Sequence, residues 1–167
     1  MQFPTIDKAQ YSKRLKRTFF AICIYMLIVA LAVSTLLIAL IGANQGDNFW
    51  LNVAGVIIAA LGLALIYKKV KGHPYLKDII YVRGLKAQMN RIYRRQRQLK
   101  TAAEQGDVKA MSILDFSYAA SEFVYKLDDN TLTLEELAQA QQQLQSWSKK
   151  HNVDSFPEYD QSWLSDY

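Results

Sequence analysis

The chain has 167 residues, 51% of them hydrophobic, with 20 Lys and Arg against 15 Asp and Glu for a formal net charge of +5, two histidines and one cysteine. A single cysteine, Cys23, excludes an intramolecular disulfide and a thiolate metal cluster, and two histidines supply no ligand set for zinc. The length bounds the chain to a membrane hairpin plus one small domain.

Residues 1–18 form a basic arm carrying Lys8, Lys13, Arg14, Lys16 and Arg17. Its apolar residues Phe3, Ile6 and Tyr11 can lie on a membrane surface while the cations meet anionic head groups. The plainer reading, that these charges only set topology, accounts for them equally well and is preferred.

Two uncharged apolar runs follow, 19–41 and 49–67, separated by the seven residues GANQGDN. A helix rises 1.5 Å per residue, so each run is about long enough to cross a hydrocarbon layer of roughly 30 Å. A soluble helix of this length keeps a polar stripe, but here only Tyr25, Ser34, Thr35 and Asn52 interrupt the apolar surface. A cleaved signal peptide has a much shorter apolar segment than the first run. Basic residues precede the first run, and Lys68, Lys69, Lys71 and Lys77 follow the second, whereas the loop carries only Asp47. This asymmetry predicts a multi-pass protein of the bacterial inner (cytoplasmic) membrane with both termini in the cytoplasm. Ala30 and Ser34 on the first span, and Gly55, Ala59 and Gly62 on the second, have the spacing of small residues that let helix backbones approach. No ionisable residue lies within either run, which argues against an ion pathway or proton relay.

The sequence KKVKGHPY breaks the second helix, and a new one is expected from Pro74 to about Gln105, stopped by Gly106. Tyr81, Leu85, Met89, Ile92, Leu99 and Ala103 make one stripe, and Arg83, Lys86, Arg91, Arg94 and Arg97 lie opposite. Leu76, Ile79 and Ile80 share the side of Arg83, Lys86 and Arg94, which makes these six residues candidates for contact with lipid or with a partner. In the first case the three apolar residues enter the lipid surface and the cations meet head groups. In the second they meet another subunit or the N-terminal arm.

Asp107 is placed to cap a helix over about 108–127 whose apolar residues leave only Ser112, Asp115, Glu122 and Lys126 as a polar face, so it needs neighbours on two sides. Thr133 to Glu136 reads as a capping box with Leu132 and Leu137 as a staple, opening a helix over about 134–150 with Leu137, Ala140, Leu144 and Trp147 on one face. DDNTLTLEEL resembles a calcium loop only superficially, since position six lacks glycine and position twelve lacks glutamate. The 151–167 segment mixes Asp154, Glu158, Asp160 and Asp166 with Phe156, Tyr159, Trp163, Leu164 and Tyr167; it can dock a partner, fold back on the bundle, or stay disordered. The expected fold is all-α: a transmembrane helical hairpin, a small cytoplasmic antiparallel three-helix bundle over 74–150, and an acidic-aromatic tail.

STLLIALIG through NFWLNVAGV, HPY, LKAQMNRIYR and LDDNTLTLEEL, spanning about Tyr11 to Gln145, resemble the uncharacterised two-span inner-membrane proteins of proteobacteria grouped as a domain of unknown function. The resemblance implies a fold and a location but no activity. No nucleophile elbow, phosphate-binding glycine loop or zinc spacing is present, and the adjacent carboxylates Asp128 and Asp129 lack the opposed geometry of acid–base catalysis. No catalytic, metal or cofactor residue is expected. The first functional expectation is a non-catalytic adaptor or accessory subunit; the alternative is a membrane-associated enzyme or a lipid-surface-sensing regulator. The bilayer is the expected partner, with a protein partner or homo-oligomer next and nucleic acid at RIYRRQRQLK last.

Overall fold

The computed structural model describes residues 3–41, 48–130 and 132–167, and every regular element among them is helical. The expected connecting loop lies outside the described residues except for Asn48, and Asp47 lies outside with it. In order come α1 (Lys8–Ile41), α2 (Phe49–Val70), a 3₁₀ turn (Pro74–Leu76), α3 (Lys77–Tyr93), α4 (Gln96–Glu104), α5 (Val108–Leu127), α6 (Leu134–Lys150) and a second 3₁₀ turn (Gln161–Asp166). The chain divides into two compact units, residues 9–80 and residues 1–8 with 81–167.

In the first unit the basic arm is not a separate piece. α1 begins at Lys8 and runs unbroken for 34 residues into the first apolar run, about 51 Å at 1.5 Å per residue. Tyr11, expected at a membrane surface, is 3% exposed within the protein. α1 and α2 are both long and apolar enough to cross a membrane. Within the apolar run of α1, the residues that are at least half-buried, Tyr25, Met26, Val29, Ala30, Val33, Ser34, Leu37 and Ile38, recur at steps of four, the rows that interdigitate when two helices pack. Beyond α2 the chain turns at Gly72, and His73 caps the 3₁₀ turn, its Nδ1 accepting from the Tyr75 amide at 3.1 Å.

In the second unit the helix expected to run from Pro74 to Gln105 is instead two. α3 ends at Tyr93, Arg95 leaves helical geometry (φ −111°, ψ 7°), and α4 starts at Gln96. Neither proline nor glycine marks the break; the Arg95 guanidinium there donates to the Leu164 carbonyl, a tertiary contact. The inner stripe holds at Leu85, Ile92, Leu99 and Ala103, but Val82 is buried where Tyr81 was expected, and Tyr81 is 38% exposed. Gly106 (φ +98°) ends α4 with a full Schellman pattern: the Asp107 amide reaches the Ala102 carbonyl at 3.0 Å and the Gly106 amide the Ala103 carbonyl at 3.1 Å. Asp107 then caps α5, its Oδ1 accepting from Lys109 (2.8 Å) and Ala110 (3.1 Å).

α5 is the centre of this unit and packs against α4 and α6. Ala110, Met111, Ile113, Leu114 and Ala120 are fully buried. Its remaining faces are covered by the two chain ends. Phe3 stacks on Phe123 at 5.1 Å and lies 6.5 Å from Phe116, so it is held by rings of the bundle. Tyr159, from the C-terminal end, stacks on Phe116 at 4.3 Å.

The capping box at α6 does not form. Thr133 has helical dihedrals (φ −93°, ψ 0°) rather than the extended ones a cap requires, and makes no side-chain cap bond. Leu132 is 91% exposed and staples nothing. α6 starts on backbone bonding alone, the Leu137 amide reaching the Thr133 carbonyl at 3.1 Å.

Candidate functional site

Three places gather the residues singled out above. The first is the seam between α1 and α2. A β-carbon on Gly55 would stand 2.1 Å from Ser34 Oγ and 3.1 Å from the Ala30 carbonyl, and one on Gly62 would stand 2.4 Å from the Tyr25 hydroxyl. Ala59 is fully buried between them in sequence. Rising positions on α2 thus meet falling positions on α1, as an antiparallel pair must. The Ser34 hydroxyl donates to the Asn52 carbonyl at 3.4 Å. Small residues here bring the backbones together, and van der Waals contact holds helices in a medium as apolar as they are.

The second is the turn after α2. Leu76, Ile79 and Ile80 are half-buried. The N-terminal part of α1 is at this turn: the Arg14 guanidinium lies 5.3 Å from the Tyr75 ring centroid and 3.6 Å from Asp78 Oδ2. The turn that carries the apolar trio thus has the N-terminal part of α1 as a neighbour, at Tyr75 and Asp78. Arg83, Lys86 and Arg94 are exposed and belong to the other unit, so the six residues do not share one compact body. Lys86 has a carboxylate partner, Asp128, at 2.6 Å. Asp129, in the left-handed region at φ 58°, pairs with Lys8. The acidic turn that superficially suggests a cation loop is thus engaged by lysines.

The third is the surface of the helical unit. A cleft of about 480 Å³ opens between α3, α4, α5 and α6, with Lys86, Lys100, Tyr118, Tyr125 and Glu136 in its walls. Thr133 Oγ1, also in its wall, is buried without a hydrogen-bond partner. Burial raises the pKa of the Tyr118 phenol, partly offset by its hydrogen bond with Gln96. Opposite in chemistry is the seat of the C-terminal segment. Ser112, buried on α5, donates to the Pro157 carbonyl at 2.6 Å. Lys109 lies 5.9 Å from the Trp163 ring and 3.5 Å from Asp166 Oδ2. The Tyr167 hydroxyl donates to Asp107 Oδ2 at 2.7 Å, and Leu164 is 7% exposed. Burial first, and then that bond to a carboxylate, push the Tyr167 phenol well above its ordinary pKa. Of the three fates open to this segment, folding back is the one observed. His151 begins it, its Nε2 2.9 Å from the Glu104 carbonyl, and Asn152 turns the chain at φ 55°.

Arg95, Lys109 and Ser112 carry this seat, and sequence reading did not single out Arg95 or Lys109. The available signal was charge: residues 101–167 contain 12 acidic against 4 basic residues, and 1–100 contain 3 against 16. Among the described residues no three His, Cys, Asp or Glu side chains cluster as metal ligands would.

Residues 1–164 match the profile of a family described as "Protein of unknown function (DUF3087)". The match takes in the arm before Tyr11 and most of the tail after Gln145, neither of which the distinctive sequence blocks reach. No curated protein and no solved structure matches the chain.

Proposed function

The chain belongs to that family of unknown function, and from its own residues we propose that it is a two-span inner-membrane protein whose helical unit is a non-catalytic adaptor on the cytoplasmic side. The observation that carries the membrane reading is the outward surface of the hairpin. Leu40 is 72% exposed, Ile41 71%, Trp50 76% and Leu65 62%. Such a continuous apolar surface is covered by lipid or by protein, and 34- and 22-residue helices have the length for lipid. Lysines and arginines at the outer ends of both helices support a cytoplasmic position for those ends.

The adaptor reading draws on the helical unit. Its polar groups are spent on holding the fold: Asp107 caps α5, Asp128 and Asp129 pair with lysines, and Glu122 accepts from Lys126 at 2.6 Å. What it presents outward is surface, including the basic row Arg83, Arg91, Arg94 and Arg97, suited to acidic protein or lipid. The test is purification of the full chain from gently solubilised membranes, with mass spectrometry of what remains bound. A stoichiometric protein companion is expected. Recovery of the protein alone with a tightly bound small molecule would instead favour an enzyme.

A further inference from the structure

The C-terminal segment is built like a ligand. Residues 154–167 carry four carboxylates and no cation, with aromatic rings at 156, 159, 163 and 167. It has little regular structure, only the 3₁₀ turn Gln161–Asp166 capped by Asp160, whose Oδ1 accepts from the Ser162 amide at 2.8 Å. Its seat is complementary: the Phe116 face receives Tyr159, Lys109 receives Trp163 and Asp166, and the Arg95 guanidinium takes the Leu164 carbonyl. The break between α3 and α4 leaves Arg95 at this seat instead of in a continuous helix.

The fit also has a flaw. The Tyr159 hydroxyl is buried with no hydrogen-bond partner. A buried orphan of this kind is destabilising, a cost that phenylalanine at the same place would not incur. The Lys109–Asp166 pair is half-exposed on both sides, and such pairs contribute little in salt. The contacts that hold the segment thus include one unsatisfied buried hydroxyl and one ion pair that salt screens.

We propose that the seat formed by Arg95, Lys109, Ser112 and Phe116 is a docking site for an acidic, aromatic segment of a partner protein, and that residues 156–167 occupy it as a displaceable strap. This rests on the adaptor reading and names the partner's chemistry. The strap shows which chemistry the seat accepts: an extended peptide whose rings stack on Phe116 and lie over Lys109, and one of whose carboxylates, Asp166 in the strap, meets Lys109. Release of the strap would uncover Phe116 and the buried Ser112 hydroxyl, which the incoming carbonyls and rings would cover again. His151, fixed at the end of α4, keeps the strap's root in place while the rest exchanges.

The test uses the full chain in lipid nanodiscs and a fluorescent peptide of the sequence of residues 153–167. With Trp163→Ser and Leu164→Ser together in the chain, the peptide should bind at least tenfold more tightly than it does to the unaltered protein. Adding Lys109→Glu should remove that gain, as should high salt in large part. Equal binding to both proteins, with helicity and thermal unfolding unchanged, would overturn the proposal. A dimer of the double variant that forms without peptide would also overturn it, by making a second copy the occupant. If the double variant does not fold, Tyr159→Phe decides. It should slow deuterium exchange of the strap amides several-fold and weaken peptide binding, and unchanged exchange would contradict the account. Failure of the peptide to bind while a companion protein still co-purifies would sink this proposal and spare the adaptor reading.

Discussion

α5 and the two span helices are made of similar apolar residues and meet opposite surroundings. Met111, Ile113 and Leu114 on α5 are 0% exposed, whereas Leu27, Leu31 and Leu36 on α1 are 63%, 60% and 58% exposed. The difference lies in what interrupts the apolar surface. α5 carries Ser112, Asp115, Glu122 and Lys126, each needing water or a polar neighbour, and the protein supplies Pro157 to Ser112 and Gln141 to Glu122. The spans carry no charge and satisfy their backbone internally, which suits a solvent without hydrogen bonds. Hydrophobicity says that a helix must be covered; the polar minority says by what.

The sharpest way to break that contrast is to place the same charge on both kinds of surface. Leu144→Asp, at a site 2% exposed, should destabilise the helical unit by about 3–5 kcal/mol because the carboxylate is buried without a partner. Thermal unfolding of the full chain in detergent reads this. Leu31→Asp should leave that transition in place and instead impair membrane insertion, by about 2.5–3.5 kcal/mol for an aspartate near a span's centre. If Leu31→Asp lowers the unfolding transition as much as Leu144→Asp, the two helices are covered in the same way and the contrast fails.

A smaller effect is expected at the hairpin seam. Gly55→Leu places bulk where Ser34 Oγ is 2.1 Å from the first added carbon, and should cost about 1–3 kcal/mol of hairpin association. Cross-linking between cysteines introduced on the two spans should fall. Gly72→Ala, with nothing within 4 Å of its added carbon, should leave it unchanged.

The smallest effect concerns the polar minority of α5. Burial raises the Asp115 pKa above the ordinary 3.8, so its charged form is disfavoured in the folded protein. The penalty is absent below that ordinary value and grows as pH rises through the raised one. Asp115→Asn should therefore stabilise at neutral pH, by about 0.5–1 kcal/mol given solvent screening of a half-buried group. The gain should vanish as pH falls below the ordinary value. A gain that persists in acid would mean that the asparagine acts by a new contact.

Much of the fold was legible because local chemistry decides it. Asp107 caps and Gly106 stops their helices through contacts within a few residues, α5 begins where its cap indicates, and α6 covers the range its spacing indicates although its cap does not form. Three features were not legible, for one reason. The break at Arg94–Arg95, the burial of Phe3 and the seating of residues 156–167 each come with contacts to neighbours far away in sequence, to Leu164, Phe123 and Phe116 respectively. Thr133 fails in the reverse direction: its motif is right, but its backbone dihedrals deny the hydroxyl its target. Of the candidate site residues, Gly55 and Ser34 were legible as small residues at helical spacing, whereas Lys86 reads as a free cation until Asp128 is found beside it.

The central claim, that α1 and α2 cross the bilayer with both chain ends on the basic side, is tested most directly by paired topology reporters. A reporter fused after Tyr167 should be active only as a cytoplasmic reporter, and one inserted at Gln45 only on the opposite side of the membrane, with both proteins retained in membranes after an alkaline wash. A Tyr167 fusion active on the far side, or release of the chain by the wash, would contradict the account.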